Sequence, residues 1–195
     1  GCNFSLVADH VLGKSTALGI VITNTCTTRT LDDIVARHGG EVIKTKVGQG
    51  YIIDMMLEHQ AVLGGDGSGS IAIHGAIKGY DSFAAMALIL EAMAVNNCPL
   101  HALVEKLPRY NLSKKKIPCQ AADAYSMIRR LRGHFPDAAI NEEDGIRFDW
   151  PAGWIHLRNS STEPIIRMIV EWKNREEAED RAMQMRGLME RLVSS

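Results

Sequence analysis

The sequence has no long apolar run, few aromatic residues and almost no net charge. Its longest apolar stretch, Phe83 to Val95, contains Glu91 and is shorter than the roughly 20 residues that a transmembrane helix needs. Lys and Arg number 22 against 23 Asp and Glu, so no bulk electric field draws the chain to nucleic acid or to an anionic membrane. We therefore expect neither as a partner, and any bound anion must be held locally.

Cysteine is sparse as well. Cys2, Cys26, Cys98 and Cys119 are widely spaced, with no CxxC pair and no histidine at zinc-ligand spacing. This pattern excludes a disulfide framework and a zinc knuckle, and it predicts reduced thiols in a cytoplasmic protein. No secretory signal is visible, and the chain opens on Gly1 rather than Met, as a processed, tagged or excised piece would.

The remaining composition, 46% hydrophobic and 23% charged, is that of an ordinary globular protein, and 195 residues allow one large or two small domains. In the first 117 residues, short β-branched runs alternate with helical periodicity. The predicted strands are 19–23, 41–44 and 61–63, and the predicted helices are 31–38, 51–59 and 82–95. This alternation predicts an α/β domain with a mainly parallel sheet.

The pattern changes near Pro118, after a segment with two prolines and the run Lys114 to Lys116. The lysines are interpreted as the solvated face of a loop. Beyond Pro118 we predict helices at 121–132 and 176–193 and strands at 138–141, 146–150, 154–157 and 165–172. The prediction is therefore a domain at 1–117 and a small α+β domain at 118–195, with a four-stranded, mainly antiparallel sheet and two helices.

The segment Arg158 to Arg167 places two guanidiniums and three hydroxyls around one short turn between apolar, strand-like runs. A phosphate monoester carries up to two negative charges and three acceptor oxygens. Arg forks, Ser and Thr hydroxyls and the backbone N–H groups of a turn match that demand, so the segment is a candidate anion cradle. The alternative is a solvated hairpin tip, because Ser, Thr and Asn are common in turns.

Two further segments could face a ligand. Gly64 to Ser70 follows a predicted strand and has four glycines in its first six residues. There Asp66 can accept two hydroxyl hydrogen bonds and Ser68 can donate one, which suits a sugar diol, although a flexible turn would look the same. Lys46 and Gln49 lie where a strand gives way to a helix, which is either a ligand-facing position or a plain βα turn.

Taken in order, the three segments resemble those of the α-D-phosphohexomutase superfamily, which comprises phosphoglucomutases, phosphomannomutases and phosphoglucosamine mutases. Residues 158–167 match the family phosphate-binding pattern RxSxTEPxxR at every fixed position. Residues 46–52 resemble its VGxxYI stretch, and residues 64–70 stand where the family has its sugar-binding loop, usually GExSGH. The resemblance covers nearly the whole chain and corresponds to the third and fourth of four domains.

The resemblance implies roles for particular residues. It implies that the non-reacting phosphate is held by Arg158, Asn159, Ser160, Ser161, Thr162 and Arg167. It implies that the sugar is bound by Asp66, Ser68, Lys46 and Gln49. Glu163 and Pro164 are expected to shape the loop. Asp66 and Ser70 replace the Glu and His of the family pattern, which leaves the identity of the hexose open.

Two family motifs are absent from these 195 residues, the phosphoserine loop and the DxDxDR magnesium loop. The resemblance implies a parent enzyme that moves a phosphoryl group between positions 1 and 6 of a hexose phosphate through a phosphoserine, with Mg²⁺. The chain would be its substrate-binding half, inactive alone, with no catalytic or metal-binding residue. Its partners would be the hexose phosphate and the missing N-terminal domains. The alternatives are a natural non-catalytic phosphosugar-binding module or partner subunit, and a structural domain without a ligand.

Overall fold

The computed structural model describes residues 2–15, 19–75, 79–119, 121–160 and 162–193. The chain divides into two compact units, Gly1–Arg109 and Tyr110–Ser195. Each unit has its own hydrophobic core, and we describe each by itself.

The first unit is an α/β/α sandwich. Its helices are α1 (Cys2–Lys14), α2 (Arg29–Arg37), α3 (Gln49–Glu58), α4 (Ser82–Asn96) and α5 (Leu100–Glu105), and its strands are β1 (Ile20–Asn24), β2 (Glu41–Thr45), β3 (Leu63–Gly65) and β4 (Ile71–Ile73). The strand order is β2-β1-β3-β4, with β1 parallel to β2 and β3, and β4 antiparallel to β3. The predicted mainly parallel sheet is confirmed.

The central strand β1 shows why the sheet is covered on both faces. Val21 packs into the core that contains residues of α1, α2, α4 and α5, whereas the next residue, Ile22, packs with Ile52 and Met56 of α3. Successive side chains of a strand point to opposite faces, so a run of apolar residues without alternation requires a layer on each side. Because β1 is parallel to both β2 and β3, the carboxyl ends of these three strands lie at one edge of the sheet.

Three elements of this unit were not predicted. Strand β4 is too short, at three residues, to display a period. In α1 the consecutive residues Phe4 to Ala8 are all buried, so its buried residues do not follow the spacing from which an amphipathic helix is predicted. The third unpredicted element, α5, has only six residues.

The second unit is a five-stranded antiparallel sheet with helices on one face. Its strands are β5 (Asn111–Pro118), β6 (Ala139–Asn141), β7 (Ile146–Trp150), β8 (Gly153–Asn159) and β9 (Ile165–Trp172), and its helices are α6 (Ala121–Leu131) and α7 (Arg175–Val193), with a short 3₁₀ turn at Arg132–His134. The strand order is β5-β9-β8-β7-β6. Residues of α6 and α7 share the core with the inward side chains of the sheet. The predicted α+β unit with an antiparallel sheet and two helices is confirmed.

Strand β5 differs from the sequence prediction, which treated this segment as the end of the first domain. It pairs with β9 along its whole length, from Asn111 opposite Trp172 to Pro118 opposite Ile165. It is an edge strand, and edge strands carry Lys and Pro, which prevent pairing with another chain, so their composition resembles that of a linker. The sheet therefore has five strands rather than four. The boundary between the two units along the chain falls between Arg109 and Tyr110 instead of near Pro118.

The turn between β6 and β7 is pressed against β8. Gly145 has φ +80°, and a Cβ added there would lie 2.2 Å from the carbonyl oxygen of Leu157. Both the backbone conformation and the lack of space require glycine.

We predict that Gly145→Ala destabilises the second unit by about 2 kcal/mol or more, because the strained φ and the clash act together. Urea unfolding followed by tryptophan fluorescence measures this unit selectively, since Trp150, Trp154 and Trp172 all lie in it. The matched control is Gly133→Ala, where a Cβ would meet nothing within 4 Å. Equal unfolding midpoints for the two variants would contradict the prediction.

Candidate functional site

The segment 158–167 forms the turn between β8 and β9. The Ser160 N–H donates to the Ile165 carbonyl at 3.0 Å, and the Ile165 N–H donates to the Glu163 carbonyl at 2.8 Å. The Cys119 N–H donates to the Pro164 carbonyl at 3.0 Å, which fastens the turn to the end of β5. The loop is therefore held by backbone hydrogen bonds, and its side chains remain available for other contacts.

Three cations stand side by side across neighbouring strands. Arg167 of β9 lies opposite Lys116 of β5 on one side and opposite Arg158 of β8 on the other. Residues opposite each other in antiparallel strands share a face, with Cβ atoms about 5 Å apart. We call Lys116, Arg167 and Arg158 the cationic row. It lies on the sheet face opposite the helices, at the end of the sheet where the β8–β9 turn begins.

A carboxylate contacts each guanidinium of the cationic row. Glu163 Oε2 accepts from Arg167 NH2 at 2.9 Å, and Glu163 Oε1 accepts from Lys116 Nζ at 2.9 Å. The Lys116 hydrogen bond is the largest cause that lowers the pKa of Glu163, and the charge of Arg167 lowers it further. Glu163 is therefore ionised at neutral pH, which offsets the repulsion between the two cations.

The second carboxylate belongs to the β6–β7 turn. Asp144 Oδ2 lies 3.5 Å from Arg158 NH1, and both side chains are partly buried. The same turn is fastened to β8 by His156, whose Nε2 is 2.6 Å from the Asp144 carbonyl oxygen. Burial lowers the pKa of His156, so the ring is neutral at neutral pH and its Nε2–H must be the donor. Asp144 is thus held in place beside Arg158.

Ser160 contacts the second arginine of this arrangement. Its side chain is buried, and its Oγ accepts from Arg167 Nε at 3.4 Å and from Arg167 NH2 at 3.3 Å. The Thr162 N–H also points to this oxygen, at 3.5 Å. A hydroxyl that accepts in this way keeps its single O–H as a donor. The geometry therefore places Arg167 opposite Arg158 and brings Arg167 and the Thr162 N–H to Ser160 Oγ, while binding of phosphate by these four residues stays a prediction.

The other two expected phosphate ligands are not brought into this group. Asn159 lies opposite Ile166, and its side chain falls on the sheet face opposite that of Arg158 because the two residues are consecutive in β8. Its Oδ1 is buried without a hydrogen-bond partner among the residues that the structure describes. Ser161 lies outside the described residues. Contact of either residue with phosphate remains a prediction.

In the first unit, the two predicted sugar-facing segments lie at the same edge of the parallel sheet. Lys46 follows β2, and Asp66 follows β3, with β1 between these two strands. Adjacent strands are about 4.8 Å apart, so the two segments begin roughly 10 Å from each other. This edge, at the carboxyl ends of parallel strands, is where open α/β sheets bind ligands.

The Asp66 carboxylate is already well occupied. Oδ1 accepts from the N–H of Ser68 at 2.8 Å and also from the Ser68 hydroxyl. Oδ2 accepts from the Tyr80 hydroxyl at 3.2 Å. A carboxylate has about four acceptor positions, so one remains for a sugar hydroxyl instead of the two expected from the sequence. Since the Ser68 O–H is donated to Asp66, Ser68 offers a ligand its oxygen lone pair.

Gln49 lies near this network, whereas Lys46 is turned toward another residue. Gln49 begins α3, and its Nε2 is 3.3 Å from the position that a Cβ on Gly79 would take, beside Tyr80. The Lys46 ammonium lies 6.0 Å from the centre of the Tyr51 ring, at the outer limit of a cation–π contact. Both side chains are exposed and accessible to a ligand.

Sequence reasoning missed several residues of these sites. Lys116 and Asp144 became apparent only through strand register and turn geometry. Tyr80 lies fourteen residues from Asp66 in a segment without a motif. The Thr-rich turn after β1 was given no role in the site, and in this turn Asn24 Oδ1 accepts from the Cys26 N–H at 2.9 Å.

The described part of the chain contains no cluster of three or more His, Cys, Asp or Glu side chains that could hold a metal ion. The magnesium that the resemblance implies for the parent enzyme therefore has no candidate ligand set among the described residues. Within the same residues, no helix is long and apolar enough to cross a membrane.

Comparison with known families accounts for both units. Residues 4–110 match the model of the phosphoglucomutase/phosphomannomutase alpha/beta/alpha domain III, and residues 114–188 match that of the phosphoglucomutase/phosphomannomutase C-terminal domain. The chain belongs to the phosphoglucomutase/phosphomannomutase family. This confirms the resemblance to the C-terminal half of the phosphohexomutases.

Relatives within the phosphoglucomutase/phosphomannomutase family are much longer than this chain. A phosphoglucomutase/phosphomannomutase of Thermococcus kodakarensis is 31% identical over 91% of this chain but only 39% of its own length. A protein named "Probable phosphoglucosamine mutase" from the same organism is 35% identical over 97% of this chain and 42% of its own length. The chain thus spans about two fifths of these relatives.

The fold of the phosphoglucomutase/phosphomannomutase family is also found by structural comparison. A family protein from Burkholderia thailandensis matches with a TM-score of 0.83 and 23% sequence identity, over 96% of this chain and 40% of that protein. The α/β class predicted from the sequence is confirmed by this similarity.

We predict that Tyr80 ionises at a higher pH than an ordinary tyrosine. Burial is the largest cause that raises its pKa above the ordinary value of 10.0, and the charge and hydrogen bond of Asp66 raise it further. Absorbance titration should therefore show one phenol that titrates last, and this phenol should be absent from Tyr80→Phe. The stability provided by the neutral phenol is present below pH 10 and is lost as the pH rises toward the pKa of the folded state.

The matched variant for this titration is Asp66→Asn, which removes the charge and keeps an acceptor. It should lower the pKa of Tyr80 toward, but not to, the ordinary value, because burial remains. An unchanged titration in Asp66→Asn would show that the contact with Asp66 has no part in the shift.

Proposed function

We propose that this chain is the substrate-binding half of a phosphohexomutase. In this role the loop 158–167 holds the phosphate that is not being transferred, and the loop 64–70 recognises the hydroxyls of the hexose. The observation that carries the proposal is the placement of Arg158 and Arg167 in register, with Ser160 between them in the connecting turn. Family membership supports the same substrate class.

The cradle suits a phosphate monoester because its groups are complementary to that anion. Arg158 offers charge and a planar set of N–H donors, and its NH1 lies 3.5 Å from Asp144 Oδ2. The hydroxyl of Ser160 and the exposed side chain of Thr162 add donors to phosphate oxygens. Arg167 is engaged by Ser160 and Glu163, so we assign it to ordering the loop and to the local positive charge.

The sugar loop suits recognition of hydroxyl groups. Asp66 has one free acceptor position, Ser68 offers a lone pair, and Gln49 and Lys46 bring an amide and a cation to the same sheet edge. These groups bind and orient, but none of them is a phosphoryl donor. The sequence also lacks the family phosphoserine loop, so we propose that the transfer itself depends on parts of the parent enzyme outside this chain.

Binding to the chain alone tests this function. Isothermal calorimetry with glucose 1-phosphate, glucose 6-phosphate and glucosamine 6-phosphate should show weak binding, about millimolar or roughly 4 kcal/mol, since these domains supply only part of the site. The chain alone should not interconvert the 1- and 6-phosphates of either sugar.

Arg158→Ala should abolish measurable binding, because it removes the guanidinium that is open to the ligand. The matched control is Arg186→Ala, which removes an exposed arginine of α7 that pairs only with Glu190 among the contacts seen. Unchanged affinity in Arg158→Ala, or equal losses in both variants, would argue against the cradle.

A further inference from the structure

Lys116, which lies beside the loop 158–167, has no role in the proposed function. Lys116 lies on the edge strand β5, directly opposite Arg167 of β9. Like charges directly opposite each other in a sheet are destabilising, so this pairing needs a compensating group. In sequence, the lysine run has the pattern of a solvated face, which gives Lys116 no role in the site.

Glu163 is the compensating group, and it contacts both cations. Its two oxygens lie 2.9 and 3.3 Å from Lys116 Nζ, and Oε2 also accepts from Arg167 NH2 at 2.9 Å. The carboxylate therefore bridges the edge strand to the second arginine of the loop. Its pKa is lowered chiefly by the Lys116 hydrogen bond, so the bridge is charged at neutral pH.

The bridge determines where the Arg167 guanidinium points. With NH2 held by Glu163, Nε and NH2 reach Ser160 Oγ at 3.4 and 3.3 Å. Ser160 then has its oxygen occupied and its O–H available for a ligand. A chain of contacts thus runs from Lys116 through Glu163 and Arg167 to the hydroxyl that faces the phosphate.

We propose that Lys116 is a positioning residue of the phosphate site, which acts through Glu163 to hold Arg167 against Ser160. The inference rests on the proposed function of this loop. It assigns Lys116 no contact with the ligand. The alternative, in which Lys116 binds phosphate directly as a third cation, is an outcome of the test.

A double-mutant cycle distinguishes these two roles. We expect Glu163→Gln to weaken binding of glucose 6-phosphate about tenfold and Lys116→Met to weaken it about fivefold, measured by calorimetry. Because Lys116 acts through Glu163, the double variant should be no weaker than Glu163→Gln alone. Lys116→Arg should retain most of the affinity, since it keeps the charge and a donor. A double variant whose loss is the product of the single losses would overturn the proposal in favour of direct contact.

A second measurement follows the position of Arg167 itself. By NMR, the Arg167 Nε–H should exchange slowly with water in the wild type and in Lys116→Arg, and faster in Lys116→Met and Glu163→Gln. A merely structural role would leave this signal unchanged while shifting the urea midpoint. Unchanged exchange together with unchanged affinity in both variants would overturn the proposal.

The control is the neighbouring ion pair, which has the same chemistry on the other sheet face. Lys115 Nζ lies 2.8 Å from Glu179 Oε2 of α7, away from the loop. Glu179→Gln should leave sugar phosphate binding and Arg167 exchange at wild-type values.

If the wild type binds and Arg158→Ala does not, but Glu163→Gln binds like the wild type, this inference fails and the proposed function stands. If the wild type itself does not bind, both fail.

Discussion

The register of the three antiparallel strands β5, β9 and β8 is the constraint on which the loop 158–167 depends. It places Lys116, Arg167 and Arg158 in one row, where their mutual repulsion opposes folding. Glu163 and Asp144 offset this repulsion, since each contributes a carboxylate that contacts a guanidinium of the row. The row therefore contains its own counter-charges, and under the proposed function an incoming phosphate would meet arginines that these carboxylates already orient.

The predicted sugar-facing edge of the first unit is organised by different interactions. Its candidate groups do not share a strand register, but follow separate parallel strands whose carboxyl ends lie at one edge. Hydrogen bonds, rather than ion pairs, organise this edge: Asp66 is held by Ser68 and Tyr80. A carboxylate oriented by hydroxyl and N–H donors suits sugar hydroxyls, whereas a row of cations suits phosphate. Under the proposed function, the two units would match the two chemically different ends of a sugar phosphate.

The sequence alone predicted the fold class, the alternation of strands and helices in the first unit, and the positions of the loops 64–70 and 158–167. These features depend on local pattern, namely apolar periodicity and turn composition. It was insufficient for β5, because an edge strand rich in Lys and Pro has the composition of a linker. It also could not reveal Lys116 or Asp144 as neighbours of the arginines, because these contacts arise from strand pairing between segments distant in sequence. Tyr80 was missed for the same reason.

Motif matching also overstated what each matched residue can contribute. Asp66 and Ser68 satisfy much of each other's hydrogen-bonding capacity, and Arg167 is engaged by Ser160 and Glu163. Such mutual engagement lowers the number of bonds left for a ligand, but it also fixes the remaining donors and acceptors before the ligand arrives. Preorganisation of this kind reduces the entropy lost on binding. Under the proposed function, a weakly binding half-site would still orient a sugar phosphate accurately, and orientation is the contribution that phosphoryl transfer would require of it.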